Sequence, residues 1–182
     1  MEQENAISKK IFGGGDIHSL VSRKDFTEAD VAAVIVEPLL KNLGFSYENI
    51  ERNKTLKLRA GRKLHTMRPD YLMKVGNAYA WTLETKSPNQ NILEKNNIEQ
   101  AYSYAAHIDV QSNYFTLCNG LEFVCYRTTE TNTPKLYFKM SELDKHWNEL
   151  RTILSINSFQ AGKTFAYETR VTAGGGGAVR KN

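Results

Sequence analysis

A chain of 182 residues, 41% hydrophobic and 24% charged, is sized for one domain with a substantial buried core. No apolar run reaches the ~18 residues that a membrane span needs, and the polar opening MEQENAISKK excludes a secretory leader, so a cytoplasmic protein is expected. The net charge of +4 is a weak pointer to a polyanionic partner.

Residues 1–24 read as an irregular lead-in carrying the glycine loop FGGGD. The stretch TEADVAAVIVEPLLKNLGF then predicts a helix capped by Thr27, with Asp30 in near-capping-box position and Gly44 as its stop. Its apolar stripe is Val31, Val34, Ile35, Leu39 and Leu43, and Pro38 should kink it or begin a new turn. Strand patterns follow near 55–60, 64–75 and 79–86, with a helix over 92–107, a hairpin over 113–126 and a strand near 135–140. Ser141 is placed to cap a last helix, ELDKHWNELRTIL. From 158 to 182 periodicity fades into a Gly-rich tail or linker, leaving 25–157 as the domain. The expected fold class is α/β, a mixed β-sheet flanked by helices.

Arg52, Lys54, Lys57, Arg59, Arg62, Lys63 and Arg68 form a basic cluster. It suits a phosphate-tracking surface or, equally, a solvated loop or edge strand; Arg59, Arg62, Lys63 and Arg68 are the DNA-contact candidates. Cys118 and Cys125 flank an Asn119-Gly120 turn. A two-residue hairpin there pairs Cys118 with Leu121 and Cys125 with Tyr114, separating the sulfurs by roughly 13 Å at ~3.3 Å per residue and excluding a disulfide. QAGKT at 160–164 imitates the end of a phosphate-binding loop, but Asn157 replaces the first glycine and no strand precedes it. No ATP site is expected in this chain.

The stretch MRPDYLMKVGNAYAWTLETKSP, 67–88, reads as a hairpin that nonetheless keeps Asp70, Glu84 and Lys86. A three-residue loop Gly76-Asn77-Ala78 pairs Val75 with Tyr79, hence Asp70 with Glu84 and Arg68 with Lys86. One face is then wholly apolar, with Tyr71, Met73 and Val75 beside Leu83, Trp81 and Tyr79. Asp70, Glu84 and Lys86 emerge together on the other. Two carboxylates ~5 Å apart repel unless a cation lies between them, which suits Mg²⁺ or Mn²⁺, with the Thr85 carbonyl as a further hard ligand. A lysine in reach can orient water or offset charge on a phosphate. A surface ion-pair group is the alternative that residue types alone leave open.

The order RPD(70)…E(84)TK(86) resembles the signature of the PD-(D/E)xK nuclease superfamily. With TEADVAAVIVEPLLKNLGF, MRPDYLM, LETKSP, EQAYSYA and LCNGLEFVCY, residues 25–127 resemble the N-terminal nuclease domain of type I restriction endonuclease R (HsdR) subunits. The resemblance implies a restriction-endonuclease-like fold and a metal-dependent endodeoxyribonuclease of a restriction or phage-defence system. Asp70 and Glu84 are then metal ligands, Lys86 the catalytic lysine, and Gln100 and Tyr104 the accessory Q-x-x-x-Y motif. For the additional helix-borne acid, Glu28 lies in line with the buried stripe and is preferred. Glu37 falls off that stripe and is expected to face solvent. Implied partners are DNA, an ATP-driven translocase domain, and specificity and methylation subunits. A nuclease fold kept as a silent DNA-binding or docking module is the alternative reading.

Overall fold

Thr27 caps its helix as its sequence predicts. In the computed structural model, which describes residues 6–160, its backbone N–H donates to Asp30 Oδ2 at 2.8 Å and its Oγ1 accepts from the Asp30 N–H at 3.3 Å, a completed capping box. The short α3 (Glu28–Asp30) runs through a π-helical stretch, Val31–Val36, into α4 (Glu37–Asn42). Pro38 explains the interruption. It has no N–H for the ladder, and its ring needs room from the preceding turn. The widened turn, with the Glu37 N–H bonded to the Ala32 carbonyl, rotates the following residues. Val36 and Leu40 therefore enter the core, while Val34 is 38% exposed. The predicted stripe is corrected at that one position.

Gly44 ends this run at φ +94°, and a Cβ there would stand 2.7 Å from Ile156 Cγ2. Gly44→Ala is expected to cost about 1–3 kcal/mol, from left-handed strain with the clash added, read as a lowered midpoint in urea. A midpoint equal to the parent's would show that this corner relaxes freely.

The main sheet has strand order β1-β4-β5-β6-β7-β8, from β1 (Ile50–Arg52), β4 (Tyr71–Val75), β5 (Ala78–Thr85), β6 (Tyr114–Cys118), β7 (Glu122–Arg127) and β8 (Leu136–Lys139). Only the β5–β6 pair is parallel, joined through α5 (Lys95–Ala105); the rest are antiparallel. The result is a mixed sheet flanked by helices, as the element order predicts. On one face Leu39, Leu40, Met73, Trp81, Leu83, Phe123 and Phe138 form the larger core under α3–α4 and α6 (Leu143–Leu154). On the other, Ile92, Ala101 and Ala105 of the α5 region pack on Phe115, Leu117 and Val124.

Several expectations need correction. Residues 7–21 are not irregular: α1 (Ile7–Phe12) and α2 (Ile17–Val21) bury Ile11 and Val21 in the larger core. Ser8 is tied to Asp144 of α6 through its N–H at 2.8 Å and its Oγ at 2.6 Å. The predicted strand 64–75 is two strands. β3 (Lys63–Met67) pairs with β2 (Leu56–Ala60) in a separate two-stranded sheet, and the break falls at Pro69, which gives no ladder N–H and restricts Arg68. Ser141 caps nothing; it lies in a 3₁₀ turn, Met140–Glu142, ahead of α6.

The β4–β5 register is as expected from Tyr71↔Leu83 to Met73↔Trp81, then shifts at a bulge, so that Val75 pairs with Ala78. The turn is therefore Gly76-Asn77, with Gly76 at φ +61°. Beyond the bulge Ala80 joins the larger core, and Tyr79 moves to the other side with Leu72. The β6–β7 hairpin, by contrast, is longer-looped than predicted: Cys118 pairs with Phe123, and Cys125 with Thr116. Asn119 Oδ1 accepts from the N–H groups of Leu121 and Glu122 and so stabilises the wider turn. Both cysteines are free and buried, and burial pushes the Cys118 thiol up to about 12. The predicted tail, 158–182, and the QAGKT motif fall mainly at 161–182, outside the described residues; 156–160 are helical.

Candidate active site

β5 runs out of the sheet centre toward Thr85, and the next residue keeps the parallel ladder going, with the Lys86 N–H donating to the Cys118 carbonyl at 2.9 Å. Strand alternation then sends Glu84 and Lys86 to the α5 side and Thr85 to the other. Glu84 and Lys86 are 5% and 7% exposed. Lys86 Nζ donates to Glu84 Oε1 at 2.8 Å and to Gln100 Oε1 at 3.0 Å. Gln100 Nε2 in turn donates to the Tyr104 hydroxyl at 2.8 Å. Of the predicted accessory pair, Gln100 thus contacts the predicted lysine and Tyr104, one helical turn on along α5, contacts Gln100.

Asp70 stands just ahead of β4, where its backbone carbonyl accepts from the Asn53 N–H at 3.3 Å. Its Oδ2 accepts from the Thr85 N–H at 2.8 Å and from Thr85 Oγ1 at 2.5 Å. Sequence reasoning gives Thr85 only a carbonyl role and misses the hydroxyl that fixes the Asp70 carboxylate. A hydroxyl residue beside Glu84 is its only sequence signal.

Glu84 Oε2 is buried and has no hydrogen-bond partner among the described residues. Burial, then the charge of Asp70, push the Glu84 carboxyl up to about 7, with Lys86 opposing and Glu28 adding to the rise. A buried acceptor without a donor, on a carboxyl raised by burial and by the charge of a second carboxylate, is the chemistry a bound cation would satisfy. Among the described residues no group of three or more His, Cys, Asp or Glu is placed to hold a metal. The carboxylates of Asp70 and Glu84 and the Thr85 carbonyl are of the kinds that a hard cation such as Mg²⁺ accepts, with water completing its shell.

An open cavity of about 320 Å³ is lined by Asp70 and Thr85 and, from the helical run, by Glu28 and Glu37. Glu28 is exposed and faces this cavity. Glu37, expected to face solvent, has a side chain 40% exposed, and its Oε1 also pairs with Arg52 at 2.9 Å and accepts from the Tyr71 hydroxyl at 3.4 Å. The π-helical turn is the reason for these contacts, since it carries Glu37 round toward β1 and β4. Burial and the Glu37 charge push the Tyr71 hydroxyl up to about 12. Arg59, Arg62 and Lys63 are not brought to this site; they lie on the β2–β3 hairpin, with Arg68 exposed at its foot.

The Glu84 environment has a thermodynamic consequence in EDTA. Its carboxyl titrates near 4.5 when unfolded and at about 7 when folded, so the native state holds this proton more tightly. Its contribution to stability is complete below pH 4.5, falls as pH rises and is lost above about 7, on the order of 3 kcal/mol. Glu84→Gln is expected to flatten that part of the stability–pH curve. A parent and variant that run parallel from pH 4.5 to 7 would refute the assignment.

No protein-family model matches the chain, and no curated protein matches it. Among solved structures it is similar to a fragment assigned to an HsdR subunit of a type I restriction enzyme from Vibrio vulnificus YJ016, at 25% identity and a TM-score of 0.47. The match covers 61% of this chain and 22% of that one, so this chain spans less than a quarter of its neighbour. Among the described residues, no helix is long and apolar enough to cross a membrane.

Proposed function

We propose that the protein is a divalent-metal-dependent endonuclease domain that hydrolyses phosphodiester bonds of DNA in a type I restriction or related phage-defence system. The observation that carries the reading is the buried Lys86–Glu84 pair, whose Glu84 Oε2 has no donor and whose carboxyl is raised by burial and by the charge of an Asp70 held by Thr85. Asp70, Glu84 and the Thr85 carbonyl would hold Mg²⁺ or Mn²⁺. When bound, the ion supplies Lewis-acid stabilisation of charge on the phosphate and acidifies water. Thr85 keeps Asp70 from turning away. Gln100 and Glu84 hold the Lys86 ammonium from two sides, ready to orient a water for in-line attack and to offset charge on the phosphate. Glu28, which lines the cavity with Asp70 and Thr85, is the proposed helix-borne acid. The proposed partners are DNA, an ATP-driven translocase domain, and specificity and methylation subunits.

Supercoiled plasmid nicking tests this reading. With Mg²⁺ or Mn²⁺ the parent should produce nicks that DNA ligase reseals, as 3′-hydroxyl and 5′-phosphate ends require. EDTA or Lys86→Ala should stop nicking. Plasmid that is bound but left intact in both metals would overturn the hydrolase reading for this chain and favour a silent module.

A further inference from the structure

Residues 53–69 contain Lys54, Lys57, Arg59, Arg62, Lys63 and Arg68 and no acidic residue. The β2–β3 hairpin they build is not part of the main sheet. Its foot is anchored: Leu56 packs with Leu72 and Val110, Met67 Sδ accepts from Ser103 Oγ at 3.7 Å, and His107 Nε2 lies 3.2 Å from the Lys57 carbonyl. Ser103 lies on α5 between Gln100 and Tyr104, and Asp70 follows β3 by three residues. The outer part is bare, with Leu58 and Leu64 46% and 53% exposed. Among the described residues Lys57, Arg59, Arg62, Lys63 and Arg68 make no ion pair.

Register distributes these cations. Lys57 pairs with Thr66 and Arg59 with Leu64, so Lys57, Arg59 and, by alternation, Arg68 share one face. Leu58 pairs with His65 on the opposite face, which Lys63 shares, and Arg62 occupies the turn. A ribbon lying flat on a polyanion needs cations on one face only. Cations on both faces and at the tip fit a slot whose two walls are lined with phosphates. Five residues per strand reach roughly 17 Å at ~3.3 Å each. The B-DNA major groove, about 12 Å wide and about 8.5 Å deep, admits a two-stranded ribbon, whereas the minor groove, about 6 Å wide, does not. An exposed leucine on each face is then placed for apolar contact with groove-wall atoms such as thymine methyls.

We propose that the β2–β3 hairpin is a DNA-reading arm that enters the major groove of a duplex, so that double-stranded DNA is the substrate class and its backbone is delivered to the strand that follows the arm, at Asp70. This rests on the DNA reading of the site but is tested independently of hydrolysis. Anisotropy of a labelled duplex in EDTA compares the parent with Arg59→Ser/Arg62→Ser/Lys63→Ser across a salt series. The salt slope should fall by about 2–3 in the variant, at about 0.9 for each phosphate no longer neutralised, and a charge-keeping Arg59→Lys/Arg62→Lys/Lys63→Arg variant should restore it. A duplex of glucosylated 5-hydroxymethylcytosine, whose sugars fill the major groove, should bind the parent about tenfold more weakly than plain duplex and the serine variant equally to it. Equal salt slopes for parent and serine variant, or a parent indifferent to glucosylation, would overturn the arm even if the plasmid is nicked. Absence of nicking with both binding effects present would overturn the nuclease reading and leave the arm standing.

Discussion

Glu84→Met/Lys86→Met is expected to abolish metal-dependent cleavage while unfolding no more easily than the parent. Both side chains are almost fully buried, and their 2.8 Å ion pair forms at the expense of desolvating two charges. Replacing such a pair by apolar side chains of similar length is commonly neutral or stabilising by about 1–4 kcal/mol. Gln100, which is exposed, exchanges its bond from Lys86 for water. Lys86→Met alone should be less stable than the double variant, because it strips Glu84 Oε1 of its donor when Oε2 already has none. That order of stabilities is the mark of a group kept for chemistry. Urea melts of the three proteins decide it; a double variant several kcal/mol less stable than Lys86→Met would make the pair a structural one.

Trp81→Ala is expected to cost about 3–5 kcal/mol, as truncation of a fully buried aromatic does. Trp81 fills the centre of the larger core, with its ring edge-on to Phe45 at 5.7 Å and 81°. Its Nε1 has no hydrogen-bond partner among the described residues, so the indole carries a desolvation penalty that phenylalanine lacks. Trp81→Phe should therefore cost well under half of the alanine truncation. Chemical denaturation of both variants reads the difference, and near-parental stability of Trp81→Ala would contradict the β4–β5 register.

That register is legible in the sequence because alternation forces it. With Tyr71 and Met73 committed to the core, Leu83 and Trp81 have to face the same way, and a one-residue slip would bury Glu84 among them. The bulge beyond Met73 is not legible, since Tyr79 and Ala80 are both acceptable on a core face and only tertiary partners choose. Here Tyr79 goes outward to a carboxylate and an ammonium, donating to Glu51 and accepting from Lys54. The Glu37 contacts with Arg52 and Tyr71 are missed for a related reason: a regular helical projection omits the extra residue that the π-helical turn before Pro38 admits. The α1 helix is invisible because six residues are too few to be helical alone; Asp144, 136 positions away, anchors its start. Alternation places Glu84 with Lys86 on one face. The Asp70 carboxylate, expected there with them, is instead bonded to Thr85, whose side chain points the other way; the Thr85 hydroxyl escapes because its partner lies 15 residues away.

The metal site stands or falls on calorimetric titration of the EDTA-stripped, dialysed protein with Mn²⁺. With burial raising the Glu84 carboxyl to about 7, binding at neutral pH should release protons, seen by comparing buffers of different ionisation enthalpy. One ion per chain is expected in the parent, with that proton release, and loss of binding in Asp70→Asn and in Glu84→Gln. No heat of binding in the parent, or a parent-like isotherm in Glu84→Gln, would contradict a metal centre built on Asp70 and Glu84.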